Sequence, residues 1–231
     1  MTDSNSMTLF LPSDHPAKKR KMNPPTFKDP MSTIKLTVGE GETAKTFLVH
    51  KEAAIAMSPI IAKYVEESGQ DHYLLKDSTE RAVRLLVQYT YSQDIVIEQL
   101  RDGHDFDSPR DDDIEEDLAL VELWILAKEL EIPSLQDLTI RTIDDIYRKC
   151  GFLASHCVPA AYDLTSSGSE LRRLFVALCA HTDPSSITLA DVDVFPQEFL
   201  CDLAIFLLEK LQDSQKVYNV SDFYCKDEVN D

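Results

Sequence analysis

The sequence predicts an α+β fold in which a small sheet with a cluster of helices is followed by an all-α extension. Three observations carry this. Apolar and polar residues alternate with a period of two at Ile34, Leu36 and Val38, a half-buried strand. Gly39-Glu40-Gly41 then supplies turn chemistry before Thr46-Phe47-Leu48-Val49, which completes a hairpin. Beyond residue 150 every apolar repeat has helical spacing.

The elements follow in order. Gly39 and Gly41 lack the third glycine, the following helix and the Lys-Ser/Thr ending of a phosphate loop, so they are read as the hairpin turn. Two short helices come next, Lys51–Met57 and Pro59–Val65, punctuated by Ser58; proline suits a first helical position, where its missing N–H would be unpaired anyway. Tyr73-Leu74-Leu75 reads as a short strand. Asp77, with Glu80 three residues on, has the spacing of a capping box and opens a helix running to about Tyr91. Val83, Leu86, Val87 and Thr90 line one face of it, widened by Leu85 and Tyr89.

Ile95-Val96-Ile97 is β-branched and reads as a further strand. Residues 102–117 then hold nine acids in sixteen positions, a density that favours an extended, solvated loop. A helix over about Asp117–Leu130 presents Leu120, Leu123, Trp124 and Ala127, and another from Pro133 carries Leu135, Leu138, Thr142 and Ile146. In the extension, residues 156–164 form a short helix. Ser169 caps one bearing Leu171, Leu174, Phe175 and Leu178, and Pro196 opens one bearing Phe199, Leu203, Phe206 and Leu207.

Charge divides the chain of 231 residues unevenly. Acidic residues outnumber basic ones 41 to 23, a net charge of −18. Residues 1–30 hold five basic residues against three acidic, leaving 18 against 38, or −20, for the remainder. A body that acidic repels nucleic acid and anionic membrane surfaces. No apolar run reaches the roughly 18–20 residues needed to cross a bilayer. The five cysteines (Cys150, Cys157, Cys179, Cys201, Cys225) are odd in number and widely spaced, with no CxxC pair, which fits reduced thiols in an intracellular protein. The expected layout is a disordered tail over 1–30, a first domain over 31–149 with the acidic insertion inside it, a helical extension over 150–215 and a polar tail over 216–231.

Read with its residues, this order resembles the BTB/POZ domain, whose sheet is small and mostly antiparallel. Phe47-x-Val49-His50-Lys51 followed by Ser58-Pro59 looks like the family's second strand, its lead into the first helix and the Ser before the next. Asp77-Ser78 and then Leu85-Leu86-x-x-Tyr89-Thr90-Tyr91 resemble the start and end of its third helix. Leu123-Trp124-x-x-Ala127-Lys128-Glu129-Leu130-x-Ile132-Pro133-x-Leu135 is similar to its helix pair. The match covers about Thr33–Lys149. The extension, with Ala161-Tyr162-Asp163-Leu164-Thr165 and Ser169-x-Leu171-Arg172-Arg173, is similar to that of many fungal BTB proteins. Two features depart from the pattern: the region ahead of the hairpin is proline-rich and basic, and Ser32 and Thr33 stand where an Asp usually opens the first strand. Both bear on the family's common homodimer.

The resemblance implies a non-enzymatic interaction protein, a scaffold or adaptor that assembles with itself or with a cullin-type ubiquitin ligase. Val96-Ile97-Glu98 looks like the hydrophobic-x-Glu element that some BTB adaptors place against a cullin. His50 belongs to no GxSxG, HExxH or Cys nucleophile motif, and the resemblance makes it structural. The acidic run lacks the register of a calcium loop, though it offers a landing site to a basic partner. His156, Cys157, Cys179 and His181 bring soft ligands near one another in sequence, but helix packing and reduced thiols account for them. No cofactor or metal is expected. Lys18-Lys19-Arg20-Lys21, flanked by prolines, suits an importin groove, so the expected location is the nucleus, with the cytoplasm the alternative. The alternative function is a nuclear transcriptional or chromatin co-regulator acting through BTB-mediated assembly.

Overall fold

The structure is a computed structural model that describes residues 25–106, 110–188 and 193–213. It is α+β, a three-stranded sheet with eight α-helices among the described residues. Strand β1 (Thr33–Val38) pairs antiparallel with β2 (Lys45–His50) and parallel with β3 (His72–Leu75), so the order is β2-β1-β3 and the sheet is mixed. The alternation read from sequence sets the register: Ile34 lies opposite Val49, and Val38 opposite Leu75, all turned into the core. On the outer face the Thr37 hydroxyl bonds those of Thr46 (3.0 Å) and His72 Nε2 (2.9 Å), tying the three strands together.

Helices α1 (Lys51–Met57) and α2 (Pro59–Ser68) form the crossover that brings β3 back parallel to β1. Ser58 joins them. Its buried hydroxyl accepts the Ile61 N–H (3.2 Å), a helix cap, and donates to the Leu130 carbonyl (2.8 Å), so one side chain ties this corner to a helix end 72 residues away.

Helix α3 (Glu80–Ser92) is capped by Thr79, not Asp77: the Thr79 hydroxyl accepts the Ala82 N–H at 3.3 Å. Asp77 lies two residues too early for its side chain to reach the first free N–H groups, and Thr is itself a good cap. The strand expected over 95–97 is absent. Those residues are extended but unpaired, and a 3₁₀ turn (Glu98–Leu100) follows. Side chains take N–H groups here instead: Ile95 donates to Asp94 Oδ1 (2.9 Å) and Val96 to Gln88 Oε1 (3.0 Å), while Glu98 of the turn donates to Glu116 Oε1 (2.8 Å).

Helix α4 (Asp111–Glu129) starts six residues before its predicted position and absorbs six of the nine acids of the expected loop. The reason is that acids in a first turn face the free N–H groups of a helix N-terminus. Asp113, itself buried, accepts the Arg110 N–H (2.9 Å). Glu116 holds the 98–100 turn, and Glu115 pairs with Arg81. Like-charge repulsion is overcome because separate donors meet separate acids.

Helix α5 (Pro133–Cys150) packs on α4. In the extension α6 (Cys157–Asp163) packs on α4, α7 (Glu170–His181) on α5, and α8 (Gln197–Asp213) on α7 and α6. Ser169 caps α7 through the Arg172 N–H (3.3 Å). One contiguous apolar core runs from Ile34 in the sheet to Phe199 in α8, with Trp124, Phe175 and Phe199 as its largest fully buried side chains. Residues 25–30, assigned by composition to the tail, lie against α1: Glu52 accepts the Thr26 hydroxyl (3.0 Å) and the Asp29 N–H (3.2 Å).

Candidate interaction surface

The sequence singled out three kinds of residue, and the structure places them differently. The BTB-like signature residues gather in the framework. His50 closes β2, and its backbone N–H and Nδ1 both meet the Tyr91 hydroxyl, at 3.0 and 2.9 Å. Phe27 packs edge-on against the same imidazole at 5.3 Å. His50 therefore sits at the corner between β2 and α1, held by the end of α3. Lys51 pairs with Asp71 across the sheet's end. Phe47 packs against the core at half-burial, and Val49, Ala127, Leu130, Ile132 and Leu135 lie inside it. Tyr89 bonds Ser134 through its hydroxyl (2.7 Å), linking α3 to α5. Asp77 sits in the turn ahead of α3 and helps to raise the Glu129 carboxyl above its usual range, after burial of Glu129 itself.

Val96, Ile97 and Glu98 are split by the backbone. Ile97 is 3% exposed and belongs to the core, while Val96 is 56% exposed and Glu98 projects from the 3₁₀ turn. Extended backbone turns alternate side chains to opposite sides, so burying Ile97 forces its two neighbours outward together. The segment is held rigidly for an unpaired stretch. Gln88 takes the Val96 N–H, Glu116 takes those of Glu98 and Gln99, and Gln99 Nε2 donates to the Asp113 carbonyl (3.1 Å) and to Asp117 Oδ1 (3.0 Å). Glu98 carries a surface pair with Arg101 at 2.9 Å, which a partner can displace cheaply.

A charged seam lies beside it. Arg81 of α3 grips Glu122 of α4 with Nε (2.7 Å) and Nη2 (2.6 Å), a bidentate pair that keeps the guanidinium protonated far beyond its usual range. This pairing carries no sequence signal, because its members stand 41 residues apart on helices whose mutual packing the chain does not announce.

The soft ligands do not converge. Cys157 is buried and its thiol is pushed well up by desolvation, while His156 Nε2 faces Asp117 Oδ2 at 3.2 Å, within ion-pair distance but outside hydrogen-bond geometry. Among the described residues no group of three His, Cys, Asp or Glu side chains could hold a metal. Two depressions, of about 20 and 30 Å³, have room for a water each. No described helix is long and apolar enough to cross a membrane. Lys18, Lys19, Arg20 and Lys21 lie outside the described residues, as do Cys225 and the tail expected over 216–231.

The extension is fastened by Arg172, which is buried. Its Nη2 donates to the carbonyls of Tyr162 (2.5 Å) and Thr165, its Nε to the Thr165 hydroxyl (3.1 Å), and its Nη1 to Glu198 (2.7 Å). The guanidinium also covers the Tyr162 ring at 4.3 Å. The Tyr162 and Thr165 carbonyls lie at the end of α6, where no intrahelical donor remains and a cation is favoured. Sequence reading noted Tyr162, Thr165 and Arg172 as parts of a motif. It did not reveal that they bond one another.

No family model matches this sequence, and no curated protein matches it. Among solved structures the chain is similar to the BTB domain of zebrafish PATZ1, with 20% identity, 48% of this chain and 74% of that chain covered, and a TM-score of 0.32.

Proposed function

We propose that this chain is a BTB/POZ-type protein–protein interaction module, a scaffold or adaptor whose contact surface centres on Val96 and Glu98 and whose partner is a cullin-type ubiquitin ligase. The observation that carries the reading is the outward pairing of Val96 and Glu98 across buried Ile97. An exposed apolar anchor beside a carboxylate is the hydrophobic-x-Glu arrangement named above, and interfaces draw most of their affinity from a few such anchors. The backbone around it is already fixed by Gln88 and Glu116, so binding orders little that is free beforehand. The motif order along residues 33–149 and the mixed sheet with its helix cluster support the same reading.

The test is co-purification with a cullin, comparing the parent with a Val96→Asp, Glu98→Lys double variant. Both positions are exposed, so circular dichroism should superimpose and a lost complex reports the contact. Equal recovery removes this segment from the interface, and no recovery of either protein sinks the adaptor reading. The basic run Lys18–Lys21, isolated in an otherwise acidic chain, supports a second reading as a nuclear co-regulator. That reading expects nuclear accumulation which alanines at Lys18–Lys21 abolish; a parent protein confined to the cytoplasm would remove it.

A further inference from the structure

Helix α8 has two apolar sides, and among the described residues only one of them is packed. Phe199, Leu203 and Phe206 face the core, and Asp202 accepts the Tyr162 hydroxyl (2.8 Å) on that same side. Around the opposite side Leu200, Ala204, Leu207 and Leu208 recur at spacings of three and four, flanked by Cys201 and Ile205, and all six are exposed. Leu208 is 59% exposed and Ile205 56%. Scattered surface leucines need no explanation, but a continuous stripe does. The charged side chains of this helix, Glu198, Asp202, Glu209 and Lys210, stand off that stripe.

We propose that residues 217–224 of the same chain cover this face. The segment reads Val-Tyr-Asn-Val-Ser-Asp-Phe-Tyr, so Val217, Tyr218, Val220, Phe223 and Tyr224 place five large apolar side chains in eight positions. It begins four residues after α8 ends at Asp213. Its reach fits. The stripe from Leu200 to Leu208 is about 12 Å long at 1.5 Å per residue, whereas eight extended residues span about 26 Å. Three intervening residues suffice to reverse the chain.

Area and charge favour this occupant over a second copy. A stripe about 12 Å long on a helix about 10 Å wide offers on the order of 120 Å² in projection. A standard interface takes about 800 Å² from each partner. Residues 31–231 also carry a net −20, so two copies repel one another. A segment tethered three residues away needs neither: its effective concentration is of millimolar order, so docking carries no bimolecular association cost. The segment's own side chains supply the anchors that the helix lacks partners for.

Cys201 on the edge of the stripe reports coverage. In the full-length protein, its alkylation should be slowed, as measured by peptide mass mapping over time. A Val220→Asp, Phe223→Asp variant should react about tenfold faster at Cys201, because local opening then no longer limits access. A second pair, Leu207→Asp with Leu208→Asp, should expose Lys216 and Lys226 to trypsin sooner than in the parent. Leu207 and Leu208 lie outside the packed core, and circular dichroism checks that the fold persists in both variants. Equal Cys201 rates in parent and variant overturn the proposal. So does protection that fades on dilution, which would give the face to a second copy, or protection that appears only when another protein is added.

Discussion

Replacing Arg172 by leucine isolates what holds the helical extension together. The residue is 6% exposed, and leucine keeps most of its stem while removing the guanidinium. Two carbonyls at the end of α6, those of Tyr162 and Thr165, then lose a buried donor. An unsatisfied buried carbonyl costs about 1–3 kcal/mol, and the benefit of no longer burying a charge offsets part of the sum. The net loss is about 2–4 kcal/mol. The ion pair to Glu198 is a minor contributor, because that carboxylate is 73% exposed and such pairs give at most about 1 kcal/mol. Urea unfolding followed by circular dichroism reads the difference. With a slope of about 2 kcal/mol/M, the midpoint of Arg172→Leu falls by about 1–2 M, whereas that of Glu198→Gln falls by less than about 0.5 M. A Glu198→Gln shift as large as that of Arg172→Leu would refute the carbonyl account and assign the effect to the ion pair.

Three further outcomes are expected. Ile97→Ala should cost about 2–4 kcal/mol in the same unfolding assay, as a buried isoleucine cut to alanine does, while Val96→Ala stays within about 0.5 kcal/mol; comparable losses at both positions would remove the outward–inward split on which the proposed contact rests. Ser58→Ala strips the cap of α2 and the Leu130 carbonyl of its donor, a loss of about 2 kcal/mol, so calorimetry should find the melting temperature lower by about 5 °C, and a change below 1 °C would count against the bridge. Burial, with the hydrogen bond to Asp202 next, raises the Tyr162 hydroxyl above the ordinary tyrosine range. The unfolded chain then loses that proton first, so this contribution to stability is full below a pH of about 10 and is lost as pH rises through the folded value. Unfolding curves taken across that range should weaken less steeply for Tyr162→Phe than for the parent, and parallel curves would exclude Tyr162 as the source.

Sequence reading located most elements where periodicity was strong. The hairpin, the α1–α2 corner, α3 and α5 are written in their apolar spacing, and Ser169 caps α7 as its position suggests. It misjudged the stretch between residues 95 and 117 for one physical reason. Ile95-Val96-Ile97 has strand composition, yet a strand exists only where a neighbour offers a ladder, and here side chains of Asp94 and Gln88 take the N–H groups of Ile95 and Val96 instead. The nine acids read as self-repelling, yet Arg81, Gln99, the backbone of residues 98–99 and the Arg110 N–H at the start of α4 each meet one or more of them. The spacing to Glu80 points to Asp77 as the cap of α3, whereas the Thr79 hydroxyl makes the capping bond, because Asp77 lies two residues before the helix's first free N–H groups.

The sequence by itself determined the α+β class, the hairpin, the helical character of the last third, and the unequal charge of tail and body. Each follows from local pattern, since period and composition act on neighbours along the chain. Tertiary structure alone decided that Ile97 points in while Val96 and Glu98 point out, that Arg172 closes α6 against α7 and α8, and that one side of α8 faces outward. Those outcomes depend on which distant groups arrive at a given carbonyl, carboxylate or apolar surface. Contacts between residues 18, 26 or 41 positions apart leave no periodic trace in the chain that makes them.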